Sequence, residues 1–149
     1  ARYCIVVSRS MTDIGSSYKM YCPNTTLELA PSFPDALALA TRIRQQQKLQ
    51  RRQDHSSEFK ESNSDLECWI AGGESLYRES LLHESAFQLH LSIVHLEIDL
   101  QGLDKEEIAM FPSQDLWGDR FEKLVDKEYP QKGHVPGFSY HIYQKKNQF

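Results

Sequence analysis

Trp69-Ile70-Ala71-Gly72-Gly73-Glu74-Ser75-Leu76-Tyr77 changes character at its two glycines, and the reading of the whole chain starts from that change. Leu66 to Ala71 is a compact apolar run with the pattern of a buried strand, broken by Gly72-Gly73. Leu76, Tyr77, Leu81 and Leu82 then mark one face of a short helix. Two adjacent glycines let the backbone approach a ligand where any Cβ would clash. The helix that follows directs free N–H groups and a partial positive charge at a phosphate. The pair lacks the full GxGxxG spacing, and taken alone it is as well explained by a plain strand-to-helix turn.

Upstream, Tyr3-Cys4-Ile5-Val6-Val7 reads as a strand buried on both faces that emerges at Ser8-Arg9-Ser10. In an open α/β sheet such strand ends are where ligands bind. Residues 11 to 25 read as a loop and Thr26 to Ala30 as a short edge strand. Ser32-Phe33-Pro34-Asp35 resembles a capping box with proline in the first turn, and it predicts a helix to about residue 50. Residues 45 to 64 are almost wholly polar, the glutamines reading as a helix end and the second half as a solvated insertion.

Downstream, Phe87, Leu89, Leu91 and Ile93 alternate with Gln88, His90 and Ser92, predicting a strand that extends toward Ile98. Gly102 to Met110 reads as an acidic loop with a helical turn, closed by Phe111-Pro112. Phe121 to Glu128 and Gly137 to Tyr143 predict an antiparallel pair at a sheet edge. Strands separated by helices, then a closing hairpin, predict one α/β domain over residues 1–149. Its sheet is expected to be mostly parallel, with flanking helices and a C-terminal antiparallel hairpin.

With 149 residues and 40% hydrophobic content, the chain suits one buried core. Seventeen Lys and Arg against 21 Asp and Glu give a net charge of −4, so no broad basic field exists to hold nucleic acid or an anionic membrane. A phosphate ligand needs a local site. Cys4, Cys22 and Cys68 fit neither a disulfide framework nor paired zinc spacing, and they read as buried or semi-buried free thiols. His55, His83, His90, His95, His134 and His141 lack tight metal-ligand spacing and read as surface or satisfied structural residues, with no metal site expected. No bilayer-length apolar stretch and no basic and apolar leader is present, so the expected compartment is cytoplasmic.

Several segments now fall in an informative order: Arg2 with the strand end at Ser8-Arg9-Ser10, Trp69 to Gly73 with Tyr77, the strand from Leu89 to Val94, Phe111-Pro112, and Gly137 to Tyr143. In that order they resemble dihydrofolate reductase, and the strand-Gly-Gly-helix segment with its tyrosine is the most specific part. The resemblance implies NADPH as cofactor, dihydrofolate as small-molecule substrate and a monomer when complete. It implies that Ser8, Arg9 and Ser10 receive the adenosine 2′-phosphate, a dianion suited to a guanidinium and two hydroxyls. Gly72, Gly73, Glu74, Ser75 and Leu76 match the turn and helix start that wrap the pyrophosphate, with a cis peptide between the glycines. Tyr77 would lie near the nicotinamide. Glu74 is compatible with bound phosphate if its carboxylate points to solvent.

On the substrate side, Arg2 matches the arginine that grips the glutamate α-carboxylate of folate. Ala71 would offer its carbonyl to the pterin amino group, and Ser92 stands where the family commonly has a threonine tying the catalytic carboxylate to the pterin. That carboxylate is expected upstream of Ala1, with a central strand and a mobile loop, so no catalytic residue is assigned within the chain. Glu97, Asp99 and Asp104 match a region outside the pocket and do not replace it. Without two mid-sheet strands the chain alone is expected to be marginal or misassembled. The resemblance implies reduction of 7,8-dihydrofolate to tetrahydrofolate once the upstream segment is supplied. The alternatives are a non-catalytic truncated relative that binds a nucleotide or a partner, and a related pterin or pyrimidine reductase. Arg2 argues against the last, because a glutamate tail needs such a partner.

Overall fold

The computed structural model describes residues 2–14, 24–54, 68–104 and 108–146, with backbone alone at Arg2 and residues 51–54. The chain divides into two units, Ala1–Trp69 and Ile70–Phe149. It is mixed α/β, with a two-stranded parallel sheet and a three-stranded antiparallel one.

In the first unit, strand β1 (Arg2–Val7) pairs in parallel with β2 (Thr25–Ala30), from Arg2 opposite Thr25 to Val7 opposite Ala30. The Ser8 N–H continues the ladder to the Ala30 carbonyl at 3.0 Å. Helix α1 (Phe33–Asp54) opens on the expected capping box. The Ser32 hydroxyl donates to Asp35 Oδ2 at 2.5 Å and accepts from the Asp35 N–H at 3.3 Å. Ala30, Phe33 and Ala36 are buried where the strand end meets the first helical turn. The helix outruns the predicted end near residue 50, because Gln, Lys, Leu and Arg are all good helix formers and no breaker stands among them. Residues 55–67, which include the second half of the polar stretch at 45–64, lie outside the described residues, as does Cys22. Burial of β1 on both faces is corrected. Tyr3 and Cys4 are exposed and Ile5 to Val7 half-buried, since β1 has one ladder neighbour among the described residues.

The second unit contains α2 (Glu74–Leu82), β3 (Gln88–Val94), α3 (Gln114–Trp117), β4 (Phe121–Tyr129) and β5 (Phe138–Lys145). The β4–β5 hairpin forms as predicted, but β5 lies between β3 and β4 and runs antiparallel to both. The expectation of a mostly parallel sheet therefore does not hold among the described strands. The physical cue is the alternation in Phe87 to Ile93, which belongs to a strand with one wetter face, whereas parallel strands buried on both faces read as continuous apolar runs. Strand β3 stops at Val94 rather than near Ile98 because its partner β5 begins at Phe138, opposite Val94. Leu96 and Ile98 are exposed beyond it. Residues 66 and 67 of the predicted strand before the glycines lie outside the described residues, and Cys68 to Ala71 joins neither sheet. An apolar run becomes a strand only where a ladder partner meets it.

The core of this unit is Leu81, Leu89, Trp117, Phe121 and Tyr143. Trp117 comes from α3, a four-residue helix that the sequence reading did not foresee. Ser113 starts it by accepting from the Asp115 N–H at 3.4 Å, and the Trp117 indole donates to the Pro112 carbonyl at 3.2 Å. Its ring stands edge-on to Tyr143 at 5.0 Å and to Phe121 at 6.4 Å.

A break in register separates the two ends of β4. Lys123 faces Tyr143 and Val125 faces Ile142, leaving Leu124 unpaired in a bulge. The bulge shifts the side-chain alternation by one residue, so Phe121 and Lys123 share a face with Asp126 and Glu128. That face runs from the aromatic core at Phe121 and Tyr143 to a polar end at Asp126, Glu128, Ser139 and His141.

Arg120 closes the C-terminal end of α2, donating from Nη1 to the Leu81 carbonyl at 2.7 Å and from Nη2 to the His83 carbonyl at 3.4 Å. These are carbonyls at the negative end of the helix, where a cation is favoured. Arg120→Met keeps the stem and removes the donors, and it is expected to lower stability by about 1 to 2 kcal/mol. Urea unfolding checks this, and an unchanged midpoint would mean that the cap adds nothing. Among the described residues, no helix is long and apolar enough to cross a membrane.

Candidate functional site

The Gly72–Gly73 peptide is cis, as the resemblance implies, and Gly72 has φ +110°. Only glycine occupies that conformation without strain. A Cβ on Gly72 would lie 3.2 Å from Cε2 and Oη of Tyr77, so the tyrosine ring lies directly against the turn. Around Gly73 nothing lies within 4 Å of where a Cβ would sit. Gly73 is also the N-cap of α2, and no side chain caps the helix there. Its carbonyl accepts from the Tyr77 N–H at 2.9 Å, closing the first turn. The N–H groups of Glu74, Ser75 and Leu76 lie ahead of the helical hydrogen-bond ladder and bring the positive end of the helix dipole to the turn. An open approach to several N–H donors is what an oxyanion needs.

Two neighbours were not foreseen. Tyr77 is half-buried and packs against Phe111, with ring centroids 5.2 Å apart, as well as against the turn. Glu74 does not point freely into solvent. Its Oε1 accepts from Arg78 at 3.3 Å and its Oε2 from the Met110 N–H at 3.2 Å. Both contacts partly offset the negative charge of the carboxylate. Ala71 is exposed, and its carbonyl makes no hydrogen bond among the described residues.

Ser92 is exposed on β3, opposite Tyr140 of β5. Ser8, Arg9 and Ser10 follow β1 in the first unit, Arg9 and Ser10 being exposed. The Ser8 hydroxyl accepts from the Met11 N–H at 3.1 Å, which holds the chain in a tight turn around Arg9. Arg2 takes its place in β1 opposite Thr25, and its side chain lies outside the described residues. Glu97 and Asp99 are exposed on the chain that leaves β3.

Cys4 and Cys68 are free thiols as read, but exposed rather than buried or semi-buried. The Cys68 sulfur is nonetheless shielded enough for desolvation to raise its thiol above the ordinary range, which disfavours the nucleophilic thiolate.

Among the histidines, read as surface or satisfied structural residues, His141 is the one that is buried among the described residues. Its side chain is only 9% exposed and its Nδ1 is buried. Asp126 Oδ1 comes within 2.9 Å of that nitrogen but lies off the direction in which a ring N–H donates, so Nδ1 makes no hydrogen bond. Asp126, Glu128 and His141 each direct one possible ligand atom into a group no more than 4.8 Å across. Lys123 donates to Asp126 Oδ2 at 3.0 Å, and that bond is the main cause holding the Asp126 carboxyl below the usual carboxylate range. Nothing in sequence spacing signals the cluster, because it spans two strands and a bulge.

Comparison of the chain with protein-family models, curated proteins and solved structures finds no match.

Proposed function

We propose that this chain carries the cofactor half of an NADPH-dependent reductase that converts 7,8-dihydrofolate to 5,6,7,8-tetrahydrofolate. The observation that supports this best is the Gly72–Gly73 turn, open at Gly73 and leading into an uncapped helix start, with Tyr77 seated against it. In this reading the N–H groups of Glu74, Ser75 and Leu76 hold the pyrophosphate; that Ser8, Arg9 and Ser10 receive the 2′-phosphate rests on the resemblance alone. Tyr77 flanks the nicotinamide. Arg2, Ala71 and Ser92 belong to the substrate side. The cofactor supplies a hydride to the pterin ring, which also takes up a proton, and the protein supplies orientation and a dry pocket. None of the residues assigned to the substrate is a carboxylic acid, so the proton donor is proposed to come from a segment upstream of Ala1.

The test is NADPH binding by the 149-residue chain, followed by dihydrofolate-dependent NADPH oxidation with and without an added N-terminal segment of a dihydrofolate reductase. Binding by the chain and turnover only with the added segment are the expected results. Turnover by the chain alone would overturn the requirement for an external acid, and no NADPH binding under either condition would overturn the reductase reading. NADPH binding with no turnover in either arm favours a nucleotide-binding module instead.

Within the same reading, Arg9→Ala is expected to weaken NADPH binding about 10- to 100-fold, the loss of one or two charge-assisted hydrogen bonds. NADH, which has no 2′-phosphate, should bind unchanged. Equal losses for both cofactors in a titration would remove Arg9 from the 2′-phosphate site.

A further inference from the structure

We propose that Asp126, Glu128 and His141 form a binding site for a divalent first-row transition-metal ion on one face of the β3–β5–β4 sheet. The site is independent of the reductase reading. Asp126 and Glu128 stand two apart on β4 and therefore share a face, and Asp126 is the direct cross-strand partner of His141 on β5. The bulge at Leu124 puts both carboxylates on the inner face, where His141 points.

Two acidic side chains at a sheet surface are ordinary. The buried imidazole beside them is not. A ring nitrogen shielded from water normally has a hydrogen-bond partner, because leaving one unsatisfied costs about 1 to 3 kcal/mol. His141 Nδ1 has only the ion-pair contact with Asp126 Oδ1 at 2.9 Å, which lacks full hydrogen-bond geometry. Adjacent ligand atoms in a tetrahedral shell with metal–ligand bonds of about 2.1 Å are about 3.4 Å apart, so an ion would open this pair by about 0.5 Å. An ion bound by Nδ1, Oδ1 and a Glu128 oxygen satisfies the nitrogen and both carboxylates at once. On the other side of β5, the ladder partner of His141 is Leu91 of β3.

The surroundings also resemble the supporting shell of a metal site. Buried Ser139 donates its hydroxyl proton to Glu128 Oε2 at 2.9 Å, and His95 Nε2 lies 2.6 Å from the same hydroxyl. With the serine proton committed to Glu128, His95 must donate to the serine oxygen. This chain aims the Glu128 carboxylate. Lys123 occupies Asp126 Oδ2 and leaves Oδ1 for the cluster. One imidazole nitrogen with two carboxylate oxygens selects zinc-like borderline ions over calcium or magnesium, which take oxygen ligands.

The experiment is a zinc titration of the whole chain, read by calorimetry and by the ring-nitrogen NMR resonances of the histidines, with calcium as the comparison ion. One equivalent of zinc is expected to shift His141 Nδ1 and leave His83 and His134 in place, and calcium should not compete. His141→Gln alters a buried residue and risks the fold. Asp126→Asn and Glu128→Gln alter exposed side chains, and each is expected to weaken zinc binding at least about tenfold while the metal-free protein still unfolds cooperatively. Absence of a zinc-dependent shift at His141 Nδ1, unaltered affinity in the Asp126→Asn, Glu128→Gln double variant, or calcium bound more tightly than zinc would each overturn the assignment.

Discussion

Trp117→Ala is expected to lower the stability of the C-terminal unit by about 3 to 5 kcal/mol, the cost of emptying a large aromatic site from a packed core. That is a large share of the roughly 5 to 15 kcal/mol by which domains are stable, so partial unfolding at room temperature is the expected phenotype. The physical reason is the position of the indole. At 3% exposure it fills the space between α3 and the sheet, meeting Tyr143 and Phe121 edge-on. Its N–H also satisfies the Pro112 carbonyl, so the truncation removes a hydrogen bond as well as apolar contact. Trp117→Phe separates the two contributions. It retains most of the packing, loses the donor and should cost about 1 to 2 kcal/mol. Denaturant unfolding of both variants measures the difference. A Trp117→Ala midpoint equal to that of the parent would mean that the core is not organised around this residue.

Exchanging each glycine of the turn for alanine should give opposite phenotypes. Gly72→Ala acts on stability. It forces a side chain into φ +110° and brings a Cβ to 3.2 Å from the Tyr77 ring, which also packs against Phe111. A strained backbone of this kind costs about 1 to 3 kcal/mol before the ring is displaced. Gly73→Ala acts on binding. Its φ of −79° is open to any residue and nothing lies within 4 Å of the added Cβ, so the fold should lose no more than about 1 kcal/mol, the usual penalty for alanine at an N-cap. The methyl group nevertheless occupies the space through which a pyrophosphate would reach the first N–H groups of α2. NADPH affinity is expected to fall at least about tenfold, or ~1.4 kcal/mol. Thermal melts and cofactor titrations on the two variants distinguish these effects. Unchanged NADPH binding in Gly73→Ala would show that the open side of the turn is not where the phosphates lie.

These expectations differ in how far the sequence alone leads to them. The glycine turn, the helix after it and the capping box at Ser32 are local. Glycine's conformational freedom, helical spacing and side-chain hydrogen bonding over three residues act within one stretch of chain, and the structure has all three where they were read. The alternation from Phe87 to Ile93 and from Gly137 to Tyr143 likewise marked strands. Strand direction and ladder partners were legible only for the β4–β5 hairpin, since alternation states which face is wet and not which distant segment will pair. The two-sided pairing of β5 accordingly replaced a hairpin at the edge of a mostly parallel sheet, and Cys68 to Ala71 took no place in a ladder.

The same division holds within the candidate sites. Trp69 through Tyr77 announced a strand-like run, a glycine break and a helix start, because chemistry suited to phosphate is written in consecutive residues. The seating of Tyr77 on Gly72 and the capture of Glu74 by Arg78 and Met110 depend on packing across the unit. The cluster on the sheet depends on it entirely. Strict alternation from Phe121 would have sent Asp126 and Glu128 to the face opposite the core, and only the unpaired Leu124 turns them toward His141. Sequence by itself determined several local conformations of this protein, among them the glycine turn, the helix after it and the capping box. Tertiary structure decided strand partners, face and burial, because those depend on which distant segment completes the hydrogen-bond ladder.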